Sequence, residues 1–200
     1  MAVAGAKIEF WYEFASTYSY LSAMRIEALA AKVGVAVAWR PFLLGPIFFA
    51  QGWNTSPFNL YPAKGAYMVR DMERLTGERG LPFRMPQPFP QNSLTAARLA
   101  VLGQDEAWGP AFTRAVYTAE FGRGAGISDR GALASILGEL GLDADQLMAR
   151  IDEPDAKDLL KRQTGEAQAR GIFGAPSFMA GGELFWGDDR LEQALAYAKG

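Results

Sequence analysis

Polar and apolar positions alternate along residues 7 to 13, KIEFWYE, and a compact apolar run, VAVAWRPF at 35 to 42, ends near a proline; both predict strands. Between them Ile26, Leu29, Ala30 and Val33 fall on one face of a helix, with Ser16 placed as its N-cap and Gly34 as its stop. Strand, helix and strand form a βαβ unit, which favours parallel pairing through a right-handed crossover. From 43 to 62 no steady period survives among the Gly, Pro, Asn and aromatic residues, which predicts an ordered but irregular connection.

Helical patterns fill the middle of the chain. Met68, Met72 and Leu75 keep one stripe up to Gly77; Asn92 precedes SLTAARLAVLG as a cap; WGPAFTRAVYTAEF, SDRGALASILGEL and DADQLMARI come next, the last two capped by Ser128 and Asp143. EPDAKDLLKRQTGEAQARG places acids early and bases late, as a helix dipole favours, and stops at Gly171. In PSFMAGGELFW, alternating segments flank Gly181-Gly182, a hairpin signal, and Asp188 then caps a terminal helix, DRLEQALAYAK.

The predicted fold class is therefore α/β: a thioredoxin-like domain, βαβ followed by αββα, interrupted by an all-helical insertion. Residues 1-42 and 150-200 form the first unit and 43-149 the second. The same element order is also compatible with another α/β sandwich.

Composition narrows the chemistry sharply. The 200 residues contain no cysteine and no histidine, which removes thiol nucleophiles, disulfide exchange, Ser-His-Asp triads and imidazole or thiolate metal sites. A reactive group must be a carboxylate, Lys, Tyr or activated Ser, or must arrive on a cofactor. A formal net charge of -2 offers no basic excess for nucleic acid. No run approaches the roughly 20 apolar residues of a membrane span. The start, MAVAGAKIEF, carries no basic n-region leading into an apolar one, so the expected location is cytoplasmic.

Four blocks in order, WYEFASTYSYL, RPFLLGPIF, PAKGAYMVRD and GIFGAPSFMAGGELFWGDDRL, resemble the 2-hydroxychromene-2-carboxylate isomerases, a family related to kappa-class glutathione transferases and to DsbA-type oxidoreductases. The resemblance implies glutathione as cofactor, with Ser16 facing its sulfur. Glu13 and Thr17 stand where the family usually has Asp and Pro. It further implies a cis Ala175-Pro176 bond beside the cysteinyl backbone, and Gly187, Asp188, Asp189 and Arg190 near the γ-glutamyl end. Asn54 and Lys64 match insertion residues near the glycyl end or the substrate. Phe49, Trp53, Asn54, Asn59 and Asn92 are assigned to the small-molecule aromatic substrate, and a homodimer is expected.

Physically, the Ser16 hydroxyl and the start of its helix can favour a thiolate that the protein itself does not possess. The implied activity is a cis-trans isomerisation in aromatic catabolism by thiolate addition, rotation and elimination. A kappa-like glutathione transferase and a noncatalytic thioredoxin-like binding protein are the alternatives. Each residue also has a plainer role: Ser16 as a cap, Lys64 as a solvated charge, Phe48, Phe49 and Trp53 as core, and Arg190 as a surface partner of Glu183.

Overall fold

A computed structural model of the chain describes residues 5–200, so the first four residues of MAVAGAKIEF lie outside the described residues. The predicted βαβ unit is present as β1 (Lys7–Tyr12), α1 (Thr17–Ala23), α2 (Ile26–Val33) and β2 (Ala36–Pro41), with β1 and β2 parallel. The predicted single helix is thus two: Arg25 leaves the helical region at φ -131°, and its guanidinium reaches Asp188 and Glu192. Gly34 ends α2 in the left-handed region at φ 73°, where a side chain would be strained.

The 43 to 62 connection is more regular than its composition suggests, holding α3 (Leu44–Ala50) and α4 (Pro57–Leu60) before α5 (Pro62–Glu78). Pro46 and Pro57 fall in first turns, where a missing N–H breaks no helical bond, so they do not disrupt these helices. The insertion continues through α6 (Leu94–Gly103), α7 (Gly109–Tyr117), α8 (Arg130–Glu139) and α9 (Ala144–Arg150), and α10 (Pro154–Ala169) returns the chain to the sheet. A π-helical turn, Thr118–Gly122, extends α7. Asp129, not Ser128, caps α8 through Gly131 N–H; Ser128 Oγ instead accepts from Asn92 N–H and donates to Gln91.

The hairpin of β3 (Ser177–Ala180) and β4 (Glu183–Trp186) turns at Gly181 and Gly182, both at positive φ, and its first strand pairs antiparallel with β1. The sheet order is β2-β1-β3-β4. Asp188 begins a single 3-10 turn, and Arg190 occupies the N-cap position of α11 (Leu191–Lys199), so Asp188 is not that helix's cap. Arg190 lies beside Asp189 at 3.6 Å, not Glu183.

As an inner strand, β1 buries side chains on both faces. Phe10 stacks against Phe178 at 5.5 Å and meets Trp39 edge-on at 5.2 Å, whereas Trp11 points into a second cluster with Phe42, Ile47, Ala167 and Ile172. Each such aromatic contributes about 1.5–3 kcal/mol by burial. This fixes the carboxyl end of β1, beyond which come Glu13 and Ser16. Among the described residues no helix is long and apolar enough to cross a membrane.

Glu120, in the π-helical turn, is fully buried, and neither carboxylate oxygen has a hydrogen-bond partner among the described residues. Burial, reinforced by the nearby Glu13, pushes its pKa well above the ordinary 4.5, so the folded chain holds it protonated. Unfolding frees it to ionise, so folded stability falls as pH rises from the ordinary carboxylate range towards the raised value, by about 1.4 kcal/mol per pH unit. Glu120→Gln, an uncharged isostere, is expected to melt higher than wild type at about pH 8, with the gain shrinking towards about pH 5. Thermal melts across that range check it; parallel profiles would contradict it.

Candidate active site

Ser16 is held in extended geometry, φ -96° and ψ 112°, by the turn in which its N–H donates to the Glu13 carbonyl at 3.0 Å. Its hydroxyl accepts from Ser19 N–H at 3.2 Å and donates to the Ala175 carbonyl at 2.9 Å. The serine therefore caps α1 and touches the loop before β3 at once. Ala175-Pro176 is cis, as expected from the sequence resemblance.

These groups form one wall of a cavity of about 890 Å³. The N-terminal part of the insertion supplies the opposite wall, where Phe48 and Trp53 rings lie 5.6 Å apart and Phe49 is largely exposed. At the rim, Phe173 and Trp186 rings lie 5.0 Å apart. Gly174 makes room for that indole, since a Cβ there would overlap its Nε1 edge. Glu13 and Lys64 are the charged residues of the lining. Lys64 Nζ sits 4.9 Å over the Tyr61 ring and has no carboxylate partner among the described residues.

Of the residues singled out from the sequence, the cavity brings together Ser16, Phe49, Trp53, Asn54, Lys64, Asn92 and Ala175. Asn92 also caps the start of α6, accepting from Leu94 N–H at 3.1 Å. Pro176 is buried behind the wall, and Asn59 spends its amide on Thr55 and on the Phe89 carbonyl, outside the lining. Gly187, Asp188, Asp189 and Arg190 also lie outside it. The Asp188 carboxylate is occupied by Ser22, Arg25 and Arg79, while Asp189 and Arg190 are exposed.

Sequence reasoning passed over Tyr18, Gln91, Ser93, Phe173 and Trp186 as lining residues, and took Glu13 only as a departure from a motif. Tyr18 donates to Asp71 of α5 at 2.9 Å, and burial pushes its phenol up, so it stays neutral. Glu13 receives Leu44 N–H at 2.9 Å and the Ser93 hydroxyl; burial nevertheless outweighs these donors and raises its carboxyl above the ordinary range. Nothing local in the sequence marks Ser93 as Glu13's partner, 80 positions away.

The arrangement provides the Ser16 hydroxyl bonded to the Ala175 carbonyl, one cation, Lys64, and a large apolar space. Such a cavity has room for a flat ring system against its aromatic walls, with few polar groups to orient it.

Comparison with known proteins gives the chain its family. The DSBA-like thioredoxin domain family matches residues 7–198. The chain is 32% identical over 192 residues to the 2-hydroxychromene-2-carboxylate isomerase of Sphingobium xenophagum, covering 95% of this chain and 96% of that protein. It is 27% identical to glutathione S-transferase kappa 2 of Caenorhabditis elegans, covering 95% and 90% of the two chains. A solved 2-hydroxychromene-2-carboxylate isomerase structure superposes with a TM-score of 0.84 at 27% identity, over 94% of this chain and 91% of that one. The chain thus belongs to the 2-hydroxychromene-2-carboxylate isomerase family of DsbA-like thioredoxin-fold enzymes, with the kappa-class glutathione transferases as its relatives.

Proposed function

We propose that the cavity binds glutathione along the Gly174-Ala175 edge, with its sulfur beside Ser16, and isomerises 2-hydroxychromene-2-carboxylate or a close aromatic analogue. The observation that carries this reading is the Ser16 hydroxyl, at the wall of a large apolar cavity and beside the loop that carries the cis proline, in a chain without cysteine. Bound there, glutathione supplies a thiolate for reversible addition to the conjugated carbon, which permits rotation before elimination.

The chain's residues do the rest. Ser16 turns its proton from Ala175 to the sulfur, and the start of α1 adds about 0.3–1 kcal/mol in favour of the anion. Lys64, without a carboxylate partner among the described residues, meets a carboxylate of cofactor or substrate, with Asn54 beside it. Phe49 and Trp53 cover the rings, and Asn92 offers its amide to the substrate's polar edge. Asp189 and Arg190, with Gly187 and Asp188 shaping the turn, serve the γ-glutamyl end where it extends past the hairpin. Base unit and insertion, divided near residues 42 and 150, contribute opposite walls. The protein acts as a homodimer in the cytoplasm, where reduced glutathione is abundant.

The similarity to kappa-class transferases makes glutathione conjugation the second reading. Reaction with substoichiometric glutathione separates the two. Full conversion of substrate with the thiol titre unchanged is the expected result. Thiol loss in step with product would make the protein a transferase, and turnover independent of glutathione would overturn both readings.

A further inference from the structure

Glu13 and Ser93 form a second constellation in the same cavity. Glu13 is 4% exposed and Ser93 7%, and both line the cavity wall. Ser93 stands at the N-cap of α6, a position where serine ordinarily binds the helix's free N–H groups, yet its hydroxyl makes no cap bond. Asn92 takes over that role, accepting from Leu94 N–H. The freed Ser93 hydroxyl donates instead to Glu13 Oε1. Glu13 Oε2 is steadied by Leu44 N–H at 2.9 Å, and among the described residues no cation pairs with the carboxylate.

The titratable groups behind Glu13 give its carboxylate no counter-charge. Tyr117 donates its hydroxyl to the Glu13 carbonyl, with its pKa raised by burial, and Glu120 is held protonated. Lys64 is the cation of the lining. A buried carboxylate without a cation, coupled to a hydroxyl at a cavity wall, is an arrangement that moves protons.

We infer that Glu13, relaying through Ser93, is the acid-base group that opens the cyclic substrate before any thiol chemistry. This rests on the proposed substrate class, and it needs no thiol. In a 2-hydroxychromene-2-carboxylate the hydroxyl and the ring oxygen share one carbon, so a single relay reaches both. The hydroxyl proton passes through Ser93 to Glu13 as the C2 carbonyl forms. The bond from C2 to the ring oxygen breaks, its electron pair stays on that oxygen, and the proton returns there to give the phenol. No net proton or electron is exchanged.

The test omits glutathione. With isotopically labelled substrate, magnetisation transfer between cyclic and open-chain forms reads ring opening directly, without turnover to the isomerised product. Wild-type protein is expected to accelerate this exchange, and Glu13→Gln and Ser93→Ala to lose roughly 10²-fold of the acceleration, the lower end of general acid-base contributions. Glu13→Asp is expected to restore part of it, and Ser93→Ala serves where Glu13→Gln fails to fold. Exchange unaffected by wild-type protein, or accelerated equally by the variants, overturns the inference. Because no thiol is present, failure of the glutathione reading leaves this result unchanged.

Discussion

Ser16→Ala is expected to lower turnover about 10²–10³-fold, the loss seen when one donor aimed at a developing or resident anion is removed. In the free protein the Ser16 proton is held by the Ala175 carbonyl at 2.9 Å, so the hydroxyl is already positioned at the peptide edge where the cofactor would lie. The same oxygen caps α1 through Ser19 N–H, and losing a serine cap costs about 0.5–2 kcal/mol of stability. Reduced activity alone would therefore not separate chemistry from folding. Ser16→Asp does: aspartate keeps the cap, although as an acceptor it forfeits the bond to the Ala175 carbonyl. This variant is therefore expected to melt above Ser16→Ala and below wild type, yet its carboxylate repels a thiolate and turnover should fall further than in Ser16→Ala. The ultraviolet absorbance of bound thiolate, tracked against pH, should show the glutathione thiol ionising at higher pH in both variants. Turnover within twofold of wild type in Ser16→Ala would remove Ser16 from the mechanism.

Local and long-range signals divide the legible part of the molecule from the hidden part. Period-two alternation in KIEFWYE and the paired glycines at 181 and 182 are local signals, and both became structure, the glycines at φ 56° and 90°. Ser16 was legible as a helix cap because a strand-to-helix junction is local too, whereas the cis Ala175-Pro176 bond was expected only from the resemblance to a known family. Elements decided by distant partners were hidden. The break between α1 and α2 arises from Arg25 turning out to Asp188 and Glu192, more than 160 positions away. Ser128 carries capping chemistry but is drawn to Gln91 and Asn92, leaving Asp129 to cap α8. Glu13 and Ser93 meet only because the insertion folds back over the end of β1. A glutamate directly after an apolar strand was the available signal, since that position is buried in a sheet of this kind.

Asp188→Ala is expected to cost about 3–5 kcal/mol of folding stability, the effect of removing one partner from a buried ion pair. The carboxylate is 4% exposed and accepts from Ser22 Oγ at 2.8 Å, Arg25 Nε at 3.2 Å and Arg79 Nη2 at 2.7 Å. It thereby ties α1, the start of α2 and the end of α5 to the turn after β4. Arg25 would keep Glu192, but Arg79, whose Nη1 already lacks a partner, would lose its single carboxylate among the described residues. The stranded guanidinium should thus account for much of the loss. Arg79→Met in the Asp188→Ala background is expected to recover part of the stability, whereas Arg79→Met alone should destabilise, and the double-mutant cycle gives the coupling directly. Asp188→Asn keeps an acceptor for Ser22 while removing the charge, and should fall between wild type and alanine in chemical denaturation. Calorimetric titration with glutathione on that variant assigns the carboxylate: affinity lost at unchanged stability would give it to the ligand, whereas stability lost at unchanged affinity would make it the fastening between the insertion and the sheet.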